Sequence, residues 1–128
     1  MILLDTCALL WWVFDKNMFS KKAISYIKKM EDSSGHVSSI SFWEIGIKII
    51  KEKIEIPVSI EEFVDKIKLS GLIKIAPVDE SIWIHSLKLK WSNQDSADRF
   101  IVATAITLNV PIITSDKRIR KFHKNCVW

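Results

Sequence analysis

A chain of 128 residues with 48% hydrophobic and 27% charged side chains predicts one ordered globular domain spanning 1–128. No apolar stretch reaches the roughly 20 residues that cross a bilayer, and no basic run precedes the N-terminal apolar residues, so neither a membrane anchor nor a signal peptide is expected. The formal charge is +4, from 19 Lys+Arg against 15 Asp+Glu, an excess too modest to name a partner by itself.

Met1 to Leu4 is an unbroken apolar run, as a strand covered on both faces of a parallel sheet requires, and Asp5-Thr6 ends it. Cys7 to Phe14 is too apolar for a free loop and predicts a short buried helix. Ser20 caps a helix to about Glu31, with Ala23, Ile24, Ile27 and Met30 at helical spacing, and Asp32 to Gly35 stops it. His36 to Ile40 predicts a second strand. Ser41 and Glu44 then fit a capping box, with Ile40 and Ile45 as its hydrophobic staple. This helix carries Phe42, Ile45 and Ile49 on one face and Trp43, Ile47 and Ile50 on another, so it is either deeply buried or keeps one face for a partner.

Pro57 breaks the chain, and Ser59 opens a helix that Ser70-Gly71 ends, with Val58 and Phe63 as staple. Leu72 to Ala76 is the third strand. Asp79 caps a helix from Glu80 to about Lys90, in which Trp83, Leu87 and Trp91 recur every four residues. A loop from Ser92 to Ser96 leads into an apolar helix opened by Asp95 and Asp98. Val110 to Ile113 is the fourth strand, Lys117 to Phe122 a short basic helix, and Asn125 to Val127 an edge strand. Strands and helices therefore alternate, which predicts an α/β fold with a parallel sheet and helices on both faces.

Four acids occupy comparable places. Asp5 and Asp116 follow strands, and Glu44 and Asp98 sit in first helical turns. Each has a structural explanation as a cap or a partner of the helix dipole. In a parallel sheet, however, strand ends and the starts of the following helices share one edge, where ligands bind. Carboxylates gathered there repel one another unless a cation sits among them. Oxygen-only ligands favour Mg²⁺ or Mn²⁺, whereas His36, His85 and His123 are scattered and form no zinc motif. Such a cation activates water for in-line attack on a phosphodiester. The bunched cations, Lys48 and Lys51 together with Lys117, Arg118 and Arg120, would hold the polyanion. Trp11 and Trp12 read as core or interface before base-stacking residues. Cys7 and Cys126 read as two reduced thiols of a cytosolic protein.

The ordered set LLDT (Leu3 to Thr6), SSISFWEIGIK (Ser38 to Lys48), DSADRFIVATA (Asp95 to Ala105) and IITSD (Ile112 to Asp116) resembles the PIN-domain ribonucleases, in particular the toxin subunits of VapBC-type toxin–antitoxin pairs. The resemblance covers essentially the whole chain. It implies strand order 3-2-1-4-5, a cytoplasmic Mg²⁺- or Mn²⁺-dependent endoribonuclease, an RNA substrate, a cognate antitoxin and a homodimer. It places Asp5, Glu44, Asp98 and Asp116 on the family's metal-binding acids, with Thr6 and Ser115 as neighbouring hydroxyls and Arg99 fixing the pocket by ion pairing. It offers Trp43, Ile47 and Ile50 as the face that receives the antitoxin.

One departure stands out. Relatives often read H-x-D-P-x-D-R, and here the run is Asn93-Gln94-Asp95-Ser96-Ala97-Asp98-Arg99. The change concerns the loop's shape and is not expected to touch the acids. Asp95 reads first as an N-cap and second as a further site residue. Two other readings compete: a non-catalytic RNA-binding or interaction module on the same fold, and a receiver domain. The receiver domain is disfavoured because the first strand ends in Asp-Thr rather than an acidic pair.

Overall fold

A computed structural model describes residues 1–128. Five parallel strands, β1 (Leu3–Leu4), β2 (Gly35–Ser38), β3 (Ile73–Ala76), β4 (Ile112–Ile113) and β5 (Cys126–Val127), form one sheet in the order 3-2-1-4-5. The helices between them are α1 (Thr6–Phe14), α2 (Lys21–Asp32), α3 (Ile40–Ile50), α4 (Ile60–Ser70), α5 (Glu80–Leu87), α6 (Ser96–Leu108) and α7 (Lys117–Phe122). The expected α/β class, strand order and two-sided cover are all observed.

Alternation along the central strands explains the layers. Successive side chains of a strand point to opposite faces. Ile2 and Leu4 join a core with Leu9, Ile27, Ile45 and Phe63, whereas Leu3 joins a second core with Ile101, Val102 and Ile119. Ile113 and Ile112 divide in the same way. Leu3 and Leu4 are both fully buried, and each stabilises the fold by about 1.5–3 kcal/mol. Continuous hydrophobicity at the N-terminus is therefore the signature of a strand with helices on both sides.

Trp12 is buried and donates its Nε1–H to Glu31 at 3.2 Å. Trp11 sits edge-on to Phe19 and beside Trp128. Both belong to the packing of α1, as their core reading requires. No helix is long and apolar enough to cross a membrane.

Two local expectations fail, and each failure bears on the site. The second strand ends at Ser38, and α3 begins at Ile40 with Ser39 as its N-cap, two residues early for a capping box at Ser41. The Ser38 hydroxyl accepts from the Ile40 N–H at 3.2 Å, and the Ser41 hydroxyl accepts from Thr6 Oγ1 at 2.9 Å. Ser41 is thus a buried tie between α1 and α3, and Glu44 is not spent on a cap. The Ile40–Ile45 staple does not form either, because Ile45 lies in one core and Ile40 packs against the other.

The second failure is the length of α5. It stops at Leu87, not near Lys90, because the Arg99 side chain gathers the main chain beyond it. Arg99 donates to the carbonyls of Ser86 (2.8 Å), Leu89 (2.8 Å), Trp91 (2.7 Å) and Asn93 (3.0 Å). A planar guanidinium with five donors suits such a cluster of carbonyls. Trp91 consequently leaves the helical face of Trp83 and Leu87 and stacks on Phe122, with ring centroids 4.6 Å apart.

Candidate active site

The C-terminal ends of β1 and β4, the first turn of α6 and the stretch of α3 from Glu44 to Lys48 surround a polar cavity of about 320 Å³. Glu44 therefore lies one turn into α3 and not in its first turn, because the helix begins already at Ile40. Asp5, Glu44, Asp98 and Asp116 all line it, together with Thr6, Ser115, Asp95, Lys48 and Arg118. A larger concavity, about 810 Å³, lies between the end of α3 and the start of α4, but isoleucines dominate its wall. Its shape suits packing rather than chemistry.

Capping and site-building prove compatible. Asp5 caps α1, its Oδ1 accepting from the Ala8 N–H at 2.8 Å, and it is buried. Asp116 caps α7 through Oδ1, which accepts from the N–H groups of Arg118 (2.8 Å) and Ile119 (3.4 Å). Its other oxygen, Oδ2, accepts from the Arg118 guanidinium at 3.3 Å. A carboxylate has lone pairs enough for a backbone cap and a second partner. Asp95 caps α6 by accepting from the Asp98 N–H at 3.1 Å, as its first reading held, and its side chain reaches the cavity as well.

Burial pushes Asp5 up to about 6, with Asp116 and Asp98 adding repulsion and the Thr114 hydroxyl and Ala8 N–H opposing it. Burial likewise raises Asp98 to about 6, and repulsion from Asp95 and Asp116 adds to it. The Asn93 side-chain amide, donating to Asp98 Oδ2 at 2.9 Å, pulls the other way. Asp116 is held below the usual carboxylate range: its exposure keeps the desolvation penalty from prevailing over the Arg118 guanidinium and the backbone N–H groups it caps.

All the acidic donors are oxygens, as Mg²⁺ or Mn²⁺ prefers. No three His, Cys, Asp or Glu side chains close around a single point. The expected set of four metal-holding acids is therefore not assembled as a closed cage, and an ion here would be held by one or two carboxylates and its own waters. Burial and the neighbouring carboxylates raise both Asp5 and Asp98, and a divalent cation beside them would offset that cost of their charged forms. The cavity's own cation is Arg118, paired to Asp98 at 3.5 Å and Asp116 at 3.3 Å.

Three expectations need correcting. Arg99 makes no ion pair; it positions the Trp91–Asn93 loop from behind. Asn93 does touch an acid, because the loop pinned by Arg99 folds its amide onto Asp98. The cations also divide unevenly. Lys48 and Arg118 wall the cavity and Lys51 an adjoining cleft, whereas Lys117 and Arg120 wall neither. The buried Arg120 Nε has no hydrogen-bond partner.

Thr114 had no sequence signal, and Ser41 and Cys7, expected as a cap and a plain thiol, stand at or beside the site. Thr114 accepts from the Asp116 N–H at 3.0 Å and steadies the turn after β4. Cys7 lines the cavity as a free thiol that burial and Asp5 push up, away from reactivity. The one available signal was the departure at Asn93, five residues before Asp98 and therefore within side-chain reach once the loop bends.

Comparison with known proteins agrees with this architecture. A family model described as PIN domain matches residues 2–125. A protein named Ribonuclease VapC22, from Mycobacterium tuberculosis, is 26% identical over 120 residues, covering 93% of this chain and 89% of that protein. Among solved structures, a toxin–antitoxin complex from Klebsiella pneumoniae matches with a TM-score of 0.64 at 16% identity, over 100% of this chain and 97% of the other. FitAcB from Neisseria gonorrhoeae matches with a TM-score of 0.62 at 19% identity, over 93% and 90%. With the strand order, the acids at one sheet edge and the extent of the match in agreement, the chain belongs to the PIN domain family.

Proposed function

We propose that the protein is a divalent-metal-dependent endoribonuclease acting as the toxin of a toxin–antitoxin pair. The observation that carries this reading is the convergence of Asp5, Glu44, Asp98 and Asp116 on one polar cavity, two of them buried. Likeness to a protein named a ribonuclease supports the reaction, and the toxin–antitoxin complex of similar fold supports the kind of partner.

In this reading Asp5 and Asp98 hold a Mg²⁺ or Mn²⁺ ion. When bound, such an ion makes water a nucleophile near neutral pH and offsets charge on the attacking and leaving oxygens at phosphorus. Glu44 and Asp116, nearer solvent, orient the attacking water, and Glu44, free of any cap or ion pair, accepts its proton. Thr6, tied to Ser41, and Ser115 line the cavity beside the acids, while Lys48 and Arg118 hold the phosphodiester. Lys51 extends the basic track along the adjoining cleft. No residue bonds covalently to the substrate. Exposed apolar residues suit protein partners, the antitoxin on the α3 face of Trp43 and Ile50 and a second toxin copy on the α5 face of Trp83 and Leu87.

The test is cleavage of RNA by Asp5→Asn and Asp98→Asn. Each is expected to lose on the order of a hundredfold or more in rate. Chelation should silence the parent, and Mg²⁺ or Mn²⁺ should restore it. A variant that cleaves as well as the parent overturns the assignment, and RNA binding without metal-dependent cleavage favours a non-catalytic module on the same fold.

A further inference from the structure

Beside the acid cavity lies a second cleft, about 460 Å³, walled by Trp91, Ser92, Asn93, Arg118, Lys121 and Phe122. We propose that it is a subsite for a single nucleotide flanking the scissile phosphodiester, with its base against the Trp91–Phe122 pair and its phosphate on Arg118 and Lys121. This rests on the nuclease reading above and adds to it where the RNA is gripped.

Three observations point there. The first is charge. The acid cavity is rich in carboxylates, yet this cleft has none in its wall and two cations, Arg118 and Lys121, both exposed. A cleft of this polarity suits a phosphate and repels a metal ion. The second is the aromatic pair. Trp91 and Phe122 are the only hydrophobic wall residues, their rings stack at 8° between planes, and both remain partly exposed. The pair is held in place, because Arg99 bonds the Trp91 carbonyl at 2.7 Å and Phe122 packs onto the core below the sheet. Rigid aromatic surfaces beside cations are how single-stranded nucleic acid is held without regard to sequence.

The third observation is continuity. Arg118 lines both cavities, with its guanidinium reaching Asp98 at 3.5 Å and Asp116 at 3.3 Å. Asn93 also lines the cleft while its amide rests on Asp98. A nucleotide seated here therefore delivers its neighbouring phosphate to the acids. A volume of 460 Å³ falls within the ~300–1,000 Å³ of small-ligand sites.

The experiment measures binding in the Asp5→Asn background with Mg²⁺, so that RNA stays intact. Fluorescence anisotropy follows a short labelled single-stranded oligoribonucleotide, and the same oligonucleotide with an abasic residue at each position in turn. One position is expected to cost about tenfold in affinity when its base is removed, the size of one stacking contact. Trp91→Leu should show that same loss with the intact oligonucleotide and no further loss with the abasic one, while Trp91→Phe restores the dependence. Lys121→Ala should reduce the slope of log affinity against log salt by about 0.7, one phosphate contact on a single strand. An abasic penalty of equal size in Trp91→Leu and its background, or no penalty at any position, overturns the subsite. If Asp5→Asn has abolished cleavage while Trp91→Leu binds as its background does, the subsite alone fails; a parent that neither binds nor cuts RNA sinks both proposals.

Discussion

Asp5 and Asp98 are both buried and both raised to about 6, yet they are held by unlike means. Asp5 stands at the end of the central strand. Its N–H donates to the Ile113 carbonyl at 3.2 Å, its carbonyl accepts from Leu9 at 2.9 Å, and its side chain caps α1. Asp98 depends on a loop. Asn93 bonds its carboxylate, Asp95 caps its helix, and Arg99 pins the Trp91–Asn93 segment that carries Asn93. One wall of the site is sheet backbone, whose geometry any hydrophobic strand would reproduce. The other is a network of side chains, each replaceable by a single mutation.

The comparison breaks most visibly at Arg99. Arg99→Ala leaves four carbonyls without their donor and should destabilise the protein by about 3 kcal/mol, read from urea unfolding. Arg99→Lys should recover little, because an ammonium cannot match the fork of a guanidinium. An unchanged midpoint would show that the loop does not depend on Arg99.

Metal-free stability against pH tests what the two walls share. A carboxyl raised from 3.8 to about 6 binds its proton more tightly folded than unfolded. Stability should therefore fall as pH rises from about 4 to about 6, by on the order of 2–3 kcal/mol for Asp5 alone. Asp98 acts with the same sign and more weakly, since solvent reaches it through the cavity. Mg²⁺ should lift stability on the high-pH side and flatten the slope. A slope of the opposite sign in chelator would mean that burial does not raise these acids.

The smallest effect is expected from Asn93→Ala. Removing the amide lets Asp98 rise further, so RNA cleavage should drop by about tenfold and its acid limb should move to higher pH. An acid limb that stays put would dissociate the loop from the site. Asp5 has one such side chain, the Thr114 hydroxyl, but its backbone bonds and its cap of α1 stay in place without it.

How much of this was legible beforehand follows from the range of the forces involved. The strands and the acids at their ends depend on hydrophobic periodicity and on motifs only a few residues long, whereas the strand order was implied by the resemblance to the PIN-domain ribonucleases. Those signals survive in one dimension, so Asp5 and Asp116 could be assigned with their elements. Even the dispute between capping and chemistry was set up correctly, although a carboxylate with two oxygens serves both and the dispute dissolves. The capping box at Ser41 was misread because a local pattern cannot reveal that a hydroxyl is already taken by Thr6, 35 residues away. The end of α5 was misread for the same reason, since Arg99 stands 13 residues beyond the Ser86 carbonyl it collects.

The sequence by itself therefore determined the alternation of strands and helices, the buried central sheet and the four acids, because each is encoded by neighbours along the chain. Only the tertiary structure decided what those acids touch. It freed Glu44 from a cap, turned Arg118 from a surface cation into the partner of two carboxylates, and brought Asn93 onto Asp98. Those outcomes are hydrogen bonds and ion pairs between side chains on separate elements, and their geometry exists only after the sheet has set the elements side by side.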